Sequence, residues 1–149
     1  MKVLGVDPGS VSAAYSLLSG GALLDADDVP VADRQVNAAE WARVVKALSP
    51  DIAVIELVGA MPKQGSTSGF RFGVGVGLLR GVIAALNIPL VQVTPTKWKR
   101  ELGISSDKDA ARALAIRLFP ECAKFTRVKD TGRAEAALIA RWYLKHGSV

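Results

Sequence analysis

Lys2-Val3-Leu4-Gly5-Val6-Asp7-Pro8-Gly9-Ser10 is the stretch whose reading decides the fold. A short apolar run reaches one carboxylate and then a Pro-Gly turn, the pattern of a buried strand with an acid at its tip. Apolar residues resume through Ala13-Ala14-Tyr15-Ser16-Leu17-Leu18 and stop at Ser19-Gly20-Gly21, so a second strand follows across a tight turn. Residues 22–29 fit a third, antiparallel strand, and Asp25, Asp27 and Asp28 suit an edge facing water.

Further along, the periodicity changes. Trp41, Val44, Val45 and Leu48 recur at three- and four-residue steps, predicting a helix over 37–48 with Asn37 as its N-cap and Ser49-Pro50 as its stop. Asp51-Ile52-Ala53-Val54-Ile55-Glu56 is a compact, β-branched apolar run, read as a buried strand ending in a carboxylate. Residues 59–69 read as a polar loop. Residues 70–86 resume a helical pattern, with Val74, Leu78 and Val82 as the apolar stripe and Ile83 broadening it. Gly73, Gly75, Gly77 and Gly81 weaken that helix by roughly 0.5–1 kcal/mol each relative to alanine, which implies close packing on a sheet or on a partner backbone. Leu90-Val91-Gln92-Val93 reads as another central strand, and Thr94-Pro95 opens a short helix through Arg100. A helix over 106–119, a loop over 120–129 and a last helix over 132–145 complete an α/β order, β-β-β-α-β-α-β-α-α with the short helix between.

Composition narrows the functional classes. The 149 residues, half of them hydrophobic and 22% charged, suit one folded domain over 1–149 and exclude wholesale disorder. The glycines have no three-residue period, and the lone Cys122 excludes an internal disulfide. No secretory signal pattern opens the chain, and no uncharged apolar stretch of about 18 residues follows, so the expectation is a cytoplasmic protein with no membrane partner. The net charge of +5 is unevenly spread: residues 1–59 carry −4 and residues 60–129 carry +8, which points to a polyanion.

Asp7 and Glu56 each end a very apolar strand, where a lone carboxylate is costly unless a cation or hydrogen bonds compensate. Asp130 and Glu135 lie before and within the first turns of the last helix. Four such carboxylates without a Cys-His cluster suit Mg²⁺ or Mn²⁺, hard ions that take carboxylate, water and phosphate oxygens.

These residues in this order resemble the RuvC family of Holliday-junction resolvases, in the ribonuclease-H-like superfamily. The resemblance rests on Val6-Asp7-Pro8-Gly9-Ser10, on Val54-Ile55-Glu56 followed by Ala60-Met61-Pro62-Lys63-Gln64-Gly65-Ser66, and on Phe70-Arg71-Phe72-Gly73. Val93-Thr94-Pro95 with Trp98-Lys99 and Lys129-Asp130-Thr131-Gly132-Arg133-Ala134-Glu135 complete it. It implies a five-stranded mixed sheet in 3-2-1-4-5 order flanked by helices, a homodimer facing a four-way DNA junction or other branched DNA, and two Mg²⁺ ions about 4 Å apart at the scissile phosphate. Asp7, Glu56, Asp130 and Glu135 take the place of the metal ligands, and Lys108 matches a lysine that approaches the cleaved phosphate. Better-known bacterial members carry an aspartate where this chain has Gly132, and Asp130 is the nearest substitute.

The resemblance also assigns a junction-contact loop to residues 61–68. Lys63 and Arg71 can neutralise phosphate, Gln64, Gly65 and Ser66 can approach backbone or base edges, and Phe70 reads as either a stacking or a packing residue. Trp98 reads as half-buried between solvated, phosphate-facing Lys97 and Lys99. The glycine-bearing helix is the candidate dimer contact. Two other readings stay open: a different ribonuclease-H-like nuclease, and a branched-DNA-binding protein that does not cut.

Overall fold

The computed structural model describes residues 1–9, 12–59 and 63–147. Ser10 of the first turn and Ala60, Met61 and Pro62 of the loop after Glu56 lie outside the described residues. Strand β1 (Lys2–Asp7) occupies the middle of a five-stranded sheet because its side chains are apolar on both faces. Antiparallel β2 (Ala14–Ser19) and β3 (Ala22–Asp28) lie on one side of it. The chain then makes a small ribbon, β4 (Val31–Ala32) and β5 (Gln35–Val36), before helix α1 (Ala38–Leu48). Parallel strands β6 (Ile52–Glu56) and β7 (Leu90–Val93) complete the sheet in the order β3-β2-β1-β6-β7. With the ribbon set apart, this is the 3-2-1-4-5 order expected from the resemblance. Two-residue strands have too little periodicity to be read from sequence, which is why the ribbon was not expected.

Alternation along the strands assigns the faces. Val3, Ile52 and Val54 belong to one core, against α5 (Thr131–His146) and α4 (Lys108–Leu118). Leu4, Val6, Ala53 and Ile55 belong to the other, against Trp41 and Val45 of α1 and Leu79 and Ile83 of α2 (Ser66–Ala85). A period of two puts Asp7 on the face of Val3 and Gly5, and Glu56 on the face of Ile52 and Val54; both acids therefore look toward α5.

Gly5 lets α5 come that close. A Cβ built there would stand 1.9 Å from the Ala136 carbonyl oxygen and 3.0 Å from the Ala140 nitrogen. The facing residues are small as well: Ala134, Ala136, Ala137 and Ala140 are all fully buried. Arg133 fixes the start of the helix, its guanidinium donating to Asp28 at 3.0 and 3.2 Å and to Asp27 at 3.0 Å, while the Ser16 hydroxyl donates to its carbonyl at 3.0 Å.

Helix α2 departs from expectation in two ways. It starts at Ser66 rather than near Phe70, with Gly65 as N-cap and the Gly69 N–H bonded to the Gly65 carbonyl at 2.8 Å. Ser, Thr and Gly read as loop by propensity, yet they are compatible with a first helical turn. Its buried stripe is Gly75, Leu79 and Ile83 rather than Val74, Leu78 and Val82, and Val74 is exposed. A helix apolar on every side gives periodicity nothing to choose between. By length and composition α2 could cross a membrane; it carries Arg71 and Arg80, and its inner stripe is seated on the sheet.

Candidate active site

Asp7, Glu56 and Glu135 meet beyond the ends of β1 and β6. One carboxylate oxygen from each lies within 4.8 Å of the others. The parallel register brings the first two together, since Val6 pairs with Ile55 and the acids are the next residues. Glu135 comes from the first turns of α5, held over Asp7 by the Gly5 contact. Gly9 keeps the turn after Asp7 tight, because a Cβ there would stand 2.4 Å from the Ser12 carbonyl oxygen.

The electrostatics are those of an anionic pocket short of positive charge. Burial, then Glu135 and Glu56, push the Asp7 carboxyl well above the usual range, against the pull of Lys99 and Lys108. Burial also raises Glu56, opposed by a hydrogen bond from Trp98. Two carboxyls raised by burial, Asp7 and Glu56, set beside Glu135 from a third element fit a hard divalent cation, whose charge would favour the carboxylate form of both. Among the described residues they are the group of acids, histidines or cysteines able to share an ion.

The second pair of acids separates. Asp130 is not brought to the group. It is 2% exposed and receives hydrogen bonds from the Arg127 backbone N–H at 2.9 Å and from the Arg127 guanidinium at 2.8–3.2 Å, with Arg133 at 3.5 Å. Although burial pushes its carboxyl up, these arginines hold it below the ordinary carboxylate value. Gly132, by contrast, does face the site, for a Cβ there would lie 3.2 Å from Asp7 Oδ2. Glycine at 132 brings no side chain to the site, and Asp130 lies outside the group of three acids.

Helix α3 (Pro95–Glu101) corrects two expectations. Trp98 is fully buried rather than half-buried, and its indole N–H donates to Glu56 Oε2 at 2.8 Å. Lys99 turns inward: its Nζ lies 3.7 Å from Glu135, with only 16% of the side chain exposed. The sheet register, not the local sequence pattern, accounts for this. Glu56 and Val93 are paired across parallel strands, so the chain leaving β7 must pass beside Glu56. Lys97 is half-exposed, 3.9 Å from Glu101. Lys108, at the start of α4, is exposed, and its charge reaches Asp7.

The residues expected to contact DNA lie around the start of α2. Lys63 is exposed with a φ of 65°, Gln64 is half-buried, Gly65 caps the helix, and Ser66 begins it. Phe70 is 77% exposed, which overturns a packing role within its own chain. Arg71 is exposed, and its carbonyl accepts a hydrogen bond from Gln35 at 3.0 Å.

Comparison with known proteins gives a consistent likeness. No protein-family model matches the chain. It is 33% identical over 116 residues to the crossover junction endodeoxyribonuclease RuvC of Salinibacter ruber, a match covering 68% of this chain and 62% of that protein. It is 31% identical over 93 residues to the chloroplastic Holliday junction resolvase MOC1 of Chlamydomonas reinhardtii, covering 60% of this chain and 10% of the relative. The chain thus spans under two thirds of one relative and a tenth of the other. Among solved structures, Thermus thermophilus RuvC in complex with a Holliday junction substrate superposes with a TM-score of 0.74 at 18% identity, over 96% of this chain and 92% of that one. The fowlpox virus Holliday junction resolvase gives 0.61 at 16% identity, over 97% and 99%. At these identities the structural likeness is one of fold, and the fold is RuvC-like.

Proposed function

We propose that this RuvC-like chain is a structure-selective DNA endonuclease that resolves four-way junctions by paired symmetric nicks. The observation that carries the reading is the meeting of Asp7, Glu56 and Glu135 at the strand ends of a RuvC-like fold. The names of the two relatives support the substrate class.

Mg²⁺ fits the donor set, with Mn²⁺ as a substitute, and two ions in the site would supply activated water for attack at phosphorus and neutralise the leaving 3′ oxygen. Asp7, Glu56 and Glu135 would hold the ions. Trp98 orients Glu56 by occupying one of its oxygens, leaving the other for the site. Lys99 offsets the charge of Glu135, and with Lys108 it can stabilise negative charge growing on the phosphate.

Two symmetric nicks require two copies of the site, which a C2 homodimer supplies. The exposed face of α2 is the proposed contact: a Cβ on Gly73, Gly77 or Gly81 would meet nothing within 4 Å, so a second backbone could approach there. The lone Cys122, free in the structure, suits the reducing cytoplasm.

The deciding experiment offers end-labelled junction, duplex, fork and RNA–DNA hybrid side by side with Mg²⁺ or Ca²⁺. Symmetric 5′-phosphate nicks on the junction with Mg²⁺ are the expected result. Cutting confined to the hybrid would assign another ribonuclease-H-like activity, and junction binding without nicking would leave a branched-DNA-binding protein.

A further inference from the structure

Beside the carboxylates, a groove of about 430 Å³ runs between the end of β1, the β4–β5 ribbon and the first turns of α2. Pro8 and Gly9, which directly follow Asp7, form part of its wall, so the groove adjoins the strand end that carries that acid. Arg34 and Gln35 line the groove from the ribbon; Gln64 and Arg71 line it from the start of α2; among the described residues no carboxylate lines it. Among the described residues neither guanidinium has a carboxylate within 4.0 Å, although Asp33 precedes Arg34 on the ribbon turn. The first turn of α2 carries no acid, so the helix dipole there is not offset by a carboxylate of its own.

The ribbon is held in place for this. The Gln35 amide donates to the Arg71 carbonyl at 3.0 Å while its oxygen accepts from the Val36 N–H at 2.8 Å, and Gly75 leaves space for the Gln35 side chain. The two-residue turn puts both Asp33 (φ 51°) and Arg34 (φ 63°) in the left-handed region. Asn or Gly is conformationally easier than arginine at such a position, so local backbone chemistry does not account for Arg34.

We propose that this groove binds the sugar–phosphate backbone of the DNA strand flanking the scissile phosphate, with Arg34 and Arg71 gripping phosphates from opposite walls. A planar guanidinium can pair with two phosphate oxygens at once, and the described lining offers no carboxylate to compete for it. The inference rests on the endonuclease reading above and adds to it a strand path and a contact residue, Arg34.

The test uses the full chain carrying Arg34→Asn, a neutral residue that tolerates the left-handed conformation. Binding of a fluorescent four-way junction and of a linear duplex is followed in Ca²⁺ across roughly 50–200 mM salt. The expected result is an unchanged thermal melt, junction affinity lowered about tenfold at the low-salt end, and a salt-dependence slope reduced by about one for each protomer engaged. Arg34→Lys should restore the slope but only part of the affinity, because the point charge returns without the bidentate fork. Neutral methylphosphonates placed singly beside the cut should weaken binding of the unaltered chain at one or two positions, and at least one of those positions, the phosphate held by Arg34, should cost the Arg34→Asn chain nothing further. Unchanged affinity and slope in Arg34→Asn, or losses that add at every methylphosphonate position, overturn the groove while leaving the endonuclease reading intact. An unaltered chain that binds junction no better than duplex overturns both.

Discussion

Helices α5 and α2 are both rich in small residues and use them in opposite ways. In α5 ten residues are buried, four of them alanines, and the helix lies so close to β1 that position 5 has no room for a methyl group. In α2 three of twenty residues are buried, and Gly73, Gly77 and Gly81 face open space. Small residues mark backbone contact in the first helix and an unclaimed face in the second, so composition alone does not reveal which use applies. Glu135, whose oxygen must sit within a few ångströms of two others, rides on the tightly held element. The residues assigned to DNA, from Gly65 to Arg71, ride on a helix anchored mainly by Leu79 and Ile83, each worth about 1.5–3 kcal/mol of burial.

Five substitutions would break or sharpen this contrast. Gly5→Ala should have the largest effect: its methyl would meet backbone rather than a movable side chain, so stability should fall by about 3 kcal/mol or more, at the upper end of overpacking costs. An unaltered urea midpoint would show that α5 is not seated as tightly as the 1.9 Å approach demands.

Asp7→Asn and Glu135→Gln should each lower Mg²⁺-dependent nicking by about a hundredfold or more, beyond the cost of losing only an outer partner of a ligand. Without divalent ions Asp7→Asn should also raise the melting temperature at neutral pH. The folded Asp7 and Glu56 carboxyls are raised, so the native state binds more protons than the unfolded one, and stability falls as pH climbs from about 4 through the folded values. The gain from Asp7→Asn should therefore vanish near about pH 4, and a gain independent of pH would contradict the buried-charge account.

Asp130→Asn should leave nicking close to normal and lower stability by about 1–2 kcal/mol, limited because Arg127 is half-exposed. Its lowered carboxyl has the opposite sign from Asp7: the stabilisation is present above the unfolded value and is lost as pH falls through the folded one. Near-complete loss of nicking in a fully folded Asp130→Asn chain would instead make it a ligand. Smallest of all, Gly77→Ala should stabilise the dilute protomer by about 0.5–1 kcal/mol through helix propensity, yet weaken self-association in sedimentation equilibrium. Stabilisation with self-association intact would remove α2 as the dimer contact.

By itself the sequence determined the five strands of the main sheet, the five α-helices and, among four candidate acids, the three that meet. Asp7 and Glu56 were legible because an apolar run ending in a carboxylate is unusual, and Asn37 and Thr94 were placed at helix starts, where their side chains do cap. Glu135 was legible as a residue of the final helix, but its separation from Asp130, five positions earlier, was not. Tertiary structure decided that difference: the Gly5–Ala136 contact sets the height of α5 over the sheet, and Arg127 and Arg133 hold Asp130 away from the other acids. It also decided that Trp98 and Lys99 turn into the site, that α2 buries Gly75 rather than Val74, and that Arg34 faces a groove. Local pattern encodes which residues prefer to be buried; which neighbour a buried or charged group meets depends on register and helix height, set by contacts between segments far apart in the chain.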